Sequence, residues 1–120
     1  MEEDNKIKLD KLIDKETKNL LKLLSNISED KRKLATRLIE RVAFMTITLQ
    51  VLEDEIKDKG PICAFEQGRQ KMMIENPAQK SYNTMINRYT AAYDKLIGLL
   101  PKEIAKEEDD GFENFVNARD

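Results

Sequence analysis

The chain has 120 residues, enough for one small domain, with 40% hydrophobic and 37% charged residues and a formal net charge of −2. It has no histidine, no tryptophan and a single cysteine. These numbers exclude an intrachain disulfide, the commonest general base and a Cys/His zinc site, and they describe a charge-rich helical chain with a modest core.

The charge is segregated. Between Lys6 and Arg41 there are 11 Lys/Arg against 6 Asp/Glu, whereas Lys102–Asp120 holds 3 basic and 7 acidic residues. A basic front and an acidic tail suit a polyanion partner at one end and docking, autoinhibition or solubility at the other. Two solvated faces of a charge-rich protein give the same counts. The acidic Met1-Glu2-Glu3-Asp4 start lacks the apolar run of a signal peptide, and no window approaches the ~18 apolar residues of a membrane span. The expectation is a soluble, cytoplasmic protein.

Residues 1–5 are polar and predicted to fray. Leu9, Leu12, Ile13, Leu20, Leu23, Leu24 and Ile27 follow the i, i+3, i+4 rule of an amphipathic helix that should end near Ser25-Asn26. Ser28 is a helix N-cap, followed by Glu29 and Asp30 in the first turn, where the dipole favours anions. The second helix then runs to Lys59, ~48 Å if unbroken. Its apolar positions Leu34, Leu38, Val42, Met45, Leu49, Leu52 and Ile56 form a stripe, with Phe44, Ile47 and Val51 off it. From Val42 onward the stripe steps by heptads.

Lys59-Gly60-Pro61 stops this helix, since glycine supplies a left-handed cap and proline cannot continue. Ile62–Phe65 and Met72–Ile74 are two apolar runs about a turn at Gln67-Gly68, which predicts a β-hairpin. Alone such a hairpin is marginal, so it should pack on a helix or pair with a neighbouring subunit. Asn76-Pro77 opens the third helix as N-cap and N1, with Gln79 placed for a capping box. Tyr82, Met85, Tyr89, Ala92, Leu96 and Leu99 repeat the heptad step, and Leu100-Pro101 closes the helix.

The fold class is therefore mainly all-α: a long helical hairpin interrupted by a short β-hairpin, with an N-terminal helix and a disordered acidic tail. Residues 1–27 form the N-terminal helix, a candidate DNA-binding element together with the start of the next helix. Residues 28–101 form a helix–β-hairpin–helix oligomerisation core, and residues 102–120 form the tail.

No phosphate-binding glycine loop, dinucleotide fingerprint or metal-ligand spacing is present, so no catalytic, cofactor or metal residue is expected. Cys63 lies in an apolar run and reads as a small hydrophobe. Lys31, Arg32, Lys33, Arg37 and Arg41 are the candidate DNA contacts. The first three crowd a helix N-terminus that itself favours phosphate, and Arg37 and Arg41 lie one and two turns beyond Lys33. The alternative for this set is ordinary solvation with pairing to Glu40 or other acids. Met45, Leu49, Leu52, Ile56, Tyr82, Met85, Tyr89 and Leu96 are the candidate oligomer interface. A row of tyrosines could also stack bases, but Tyr82 and Tyr89 fall on the heptad seam, which favours packing. Phe112, Phe115 and Val116, at i, i+3 and i+4 in the tail, suit a short helix that docks on a partner or on the chain's own helices.

From Leu38 to Pro101 these features succeed one another in a known arrangement. A long helix with Ile39-Glu40-Arg41 meets the Lys59-Gly60-Pro61 break, then a hairpin with Gly68. Next comes Glu75-Asn76-Pro77-Ala78-Gln79-Lys80, and the last helix closes at Gly98-Leu99-Leu100-Pro101. This resembles the small terminase subunits of tailed bacteriophages and prophages, in the branch that joins two helices by such a hairpin. The closing stretch departs from the Gly-Leu-Thr-Pro type of that branch. The resemblance implies a non-enzymatic, ring-forming homo-oligomer in the host cytoplasm. It would bind double-stranded viral DNA near the packaging start and recruit or regulate the large ATPase/nuclease subunit. Two readings of other classes stand beside it: a small helical adaptor or inhibitor acting by protein–protein binding without DNA, and a structural coiled-coil module.

Overall fold

A computed structural model describes residues 2–100 as three helices and one β-hairpin. Helix α1 spans Glu2–Leu23, seven residues earlier in onset than the apolar periodicity predicts. Glu3 and Asp4 lie in its first turn, where carboxylates complement the helix dipole, so the polar start extends the helix instead of fraying it. The helix also ends before Ser25-Asn26. Ser25 N–H donates to the Lys22 carbonyl and Ile27 N–H to that of Leu24, tightening the chain into a turn. That turn drives Leu24 and Ile27 inward, and both are buried.

Helix α2 spans Glu29–Lys59. Ser28 caps it as expected: its Oγ accepts from Lys31 N–H at 3.3 Å. At the far end Gly60 adopts φ +83°, a conformation that an L side chain rarely takes, and its N–H donates to Ile56 O at 2.7 Å. Strands β1 (Ile62–Gln67) and β2 (Gln70–Glu75) pair antiparallel, with Cys63 opposite Ile74, Ala64 opposite Met73 and Phe65 opposite Met72. The two-residue turn is Gly68-Arg69, one residue beyond the expected position. Only Gly68 has positive φ, at +61°, the type II′ pattern with glycine first.

Helix α3 spans Pro77–Ile97. Asn76 is its N-cap, with Oδ1 accepting from Ala78 N–H at 3.0 Å. The capping box does not form. Gln79 Nε2 donates instead to Asn83 Oδ1 at 2.8 Å, one turn ahead on the exposed face.

Helices α1 and α3 both pack against α2. The core gathers Leu20, Leu24, Ile27, Ala35, Ile39, Val42, Ala43 and Leu96, with Ile13, Leu21, Leu38, Met45, Tyr89 and Leu99 around it. It is a three-helix core made by the end of α1, the first half of α2 and the last half of α3. Beyond Leu49, α3 is the one described helix beside α2, and the hairpin follows at that open end. The molecule is elongated, 63 × 44 × 18 Å, with a radius of gyration of 19.5 Å, against roughly 14 Å for a compact chain of this length.

Candidate nucleic-acid and assembly surfaces

A helix turns by about 100° per residue, so the five basic candidates do not share one face. Lys33, Arg37 and Arg41 fall on one arc of α2, and all three are exposed. Arg32 points the other way, half-buried, and its Nη2 donates to the Leu21 carbonyl at 3.5 Å. That contact places a guanidinium at the C-terminal end of α1, where the dipole favours a cation. Lys31 flanks a slot formed with Leu34, Ala35, Leu38 and Leu99. Among the described residues no ion pair engages any of the five. Glu29, Asp30 and Glu40 lie on the same helix and moderate the positive field.

The eight interface candidates divide by burial. Leu49 and Leu96, at 4% and 3% exposure, are used within the chain. Met45 and Tyr89 pack against the core. Thr46 Oγ1 donates to Val42 O at 2.8 Å and lies 3.4 Å from Tyr89 Oη, and the Tyr89 and Tyr93 rings stand 5.8 Å apart. Tyr82 lies with Tyr89 beside Thr46 and Leu49 of α2, which is a packing position for both rings. Leu52, Ile56, Tyr82 and Met85 remain half-exposed on the open α2–α3 end. The tail candidates Phe112, Phe115 and Val116 lie outside the described residues.

The hairpin exposes more apolar surface than the heptad stripes suggest. Ile62, Phe65, Met72 and Met73 are 59%, 42%, 54% and 67% exposed. Cross-strand partners lie on the same face. One face therefore carries Cys63, Phe65, Met72 and Ile74, and the other Ile62, Ala64 and Met73 with the Glu66–Lys71 ion pair at 3.4 Å. Of the two expected partners for this hairpin, the chain's own helices do not supply one. Consecutive apolar residues on both strands, Ile62–Phe65 and Met72–Ile74, are the sequence signal for two apolar faces.

Among the described residues, the hydrogen bonds that tie the hairpin to the helices lie at its base. Asn76, 3% exposed, donates from Nδ2 to Gly60 O at 2.9 Å and from its backbone N–H to Pro61 O at 2.8 Å. Each polar group of this buried side chain is thus satisfied, which a buried amide requires. Its role as a cap is legible in the Asn-Pro pair; its bond back across the hairpin is not.

Cys63 is half-buried opposite Ile74. Among the described residues there is no group of three potential metal ligands, and no helix is long and apolar enough to cross a membrane. Compared with protein-family models, curated proteins and solved structures, the chain matches none.

Proposed function

We propose that this chain is a small terminase subunit of a phage DNA-packaging motor. In this reading it is a homo-oligomer, forming a ring, that binds double-stranded viral DNA and recruits or regulates the large ATPase/nuclease subunit from the host cytoplasm. The observation that carries the reading is the hairpin between two long helices, apolar on both faces and left uncovered by the other described residues. Each large apolar side chain moved out of water contributes about 1.5–3 kcal/mol, so association is the direct way to use Ile62, Phe65, Met72 and Met73. The exposed arc of Lys33, Arg37 and Arg41 at the other end of α2 supports a DNA contact. Such contacts fall on phosphates and bring affinity and salt dependence more than sequence preference.

The test combines light scattering with DNA titration. The wild-type chain should form a discrete oligomer at micromolar concentration, and Phe65→Lys/Met73→Lys should reduce it towards monomer. Lys33→Ala/Arg37→Ala/Arg41→Ala should weaken DNA binding and flatten its salt dependence, each lost phosphate contact lowering the slope of log K against log salt by about 0.9. A monomeric wild type sinks the ring. An oligomer that ignores DNA at about 50 mM salt moves the reading to an adaptor or inhibitor acting by protein binding alone.

A further inference from the structure

The slot beside Lys31 has an unusual composition for a surface. Its walls are Leu34, Ala35, Leu38 and Leu99, and its charged side chain is Lys31. Leu34 is 84% exposed, more than any other large hydrophobic among the described residues, although it belongs to the apolar stripe of α2. The space is 240 Å³. That is below the roughly 300–1,000 Å³ of a small-molecule pocket and suits one or two side chains. Arg37 and Arg41 lie along the same helix beside Leu34.

Leu99 lines this slot, and the described residues end one position later, at Leu100. The sequence beyond Leu100 is complementary to the slot in both charge and polarity. Glu107-Glu108-Asp109-Asp110 is an unbroken acidic run, and Phe112, Phe115 and Val116 come after it at helical spacing. The twelve residues from Leu100 to Phe112 span up to roughly 40 Å when extended, so reach is no obstacle. Covalent connection sets the segment's effective concentration on the order of millimolar.

We propose that the slot is the docking site of segment 107–116 of the same chain. The aromatic residues seat against Leu34, Leu38 and Leu99, and the acidic run lies along Lys31, Arg37 and Arg41. The neighbouring groove of Leu20, Leu23, Leu24, Tyr93, Leu96, Ile97 and Leu100 is smaller, at 60 Å³, and no charged side chain lines it, so it lacks the match to an acidic segment. Docking needs nothing from the terminase reading. Its consequence does rest on that reading: the tail occupies Arg37 and Arg41, two of the three basic residues that DNA would use, so the two anions compete.

The experiment uses the full chain with Cys63→Ser. A Leu34→Cys/Phe112→Cys pair is oxidised and compared with Asn83→Cys/Phe112→Cys, because Asn83 is exposed on α3 and outside the slot. The expected result is an intrachain disulfide forming at least about tenfold faster with the Leu34 partner, an advantage that shrinks in 1 M salt, where screening acts within about 3 Å. Equal rates, or a disulfide formed only between two chains, overturn the proposal. Amide exchange gives an independent check. Phe112→Ala/Phe115→Ala should speed exchange in residues 31–38, and unchanged exchange also overturns docking. In the DNA titration the same double variant should bind several-fold more tightly than wild type. A formed disulfide with no DNA binding by either protein supports docking and sinks the DNA reading alone.

Discussion

The two ends of α2 live in different environments. At its start three helices meet, and Ile39, Val42 and Ala43 are fully covered, each at 0% exposure. At its far end α2 has one helical neighbour and a hairpin whose apolar residues face outward. One helix thus carries both a closed core and an end whose apolar neighbours stay exposed among the described residues. The difference teaches that apolar residues serve two ends of one helix differently: the closed end holds the fold, and on the proposed reading the open end is left for association.

The largest effect should come from the closed end. Ile39→Ala removes buried methyl groups where three helices leave little room to collapse, and should cost about 2–5 kcal/mol. Urea unfolding measures it. A loss under about 1 kcal/mol would mean that the three-helix core is not the seat of stability. Next is the junction between the ends. Asn76→Ala removes a helix cap and leaves Gly60 O without its side-chain donor, a cost of about 1–2 kcal/mol. Amide exchange in β1 and β2 should rise more than in α1. Uniform acceleration would instead show that the two ends unfold as one.

The smallest effect concerns charge at the open end. Lys59 Nζ stands 2.7 Å from Glu55 Oε1 on the surface. The hydrogen bond to Glu55, then its negative charge, raises the Lys59 pKa above the ordinary value of 10.5. A raised lysine pKa stabilises the fold below the unfolded-state value, and the contribution disappears as pH rises through the folded-state value. The pair is solvent-exposed and screened, so Lys59→Ala should leave the melting temperature unchanged at about pH 7. Such small difference from wild type as the pair makes should lie below about pH 10 and vanish above it. A clear loss at neutral pH would show that the open end depends on its ion pairs.

The element ends are largely legible in the sequence because they are punctuated. Ser28, Gly60-Pro61 and Asn76-Pro77 each act through local chemistry, and each sits where its residue type predicts. The start of α1 is less so, because an acidic N-terminus looks polar in a hydropathy pattern yet suits a helix dipole. The choice of buried face is harder still. The heptad count puts Leu34 on the apolar stripe and passes over Ile39, but Leu34 is 84% exposed and Ile39 fully covered. Periodicity locates apolar positions along one helix. It does not say that α1 arrives on the Ile39 side, which is a tertiary fact. The basic set is legible as residues and not as a surface, because Arg32 turns back to the Leu21 carbonyl.

The bond from Asn76 to Gly60 closes the path between α2 and α3 without any help from the strands. Residues 61–75 are therefore a detachable cassette, entered and left at one point. The helices can keep their register whatever the length and outer residues of this segment. Changes to the outer face of this cassette should therefore leave the helical core folded.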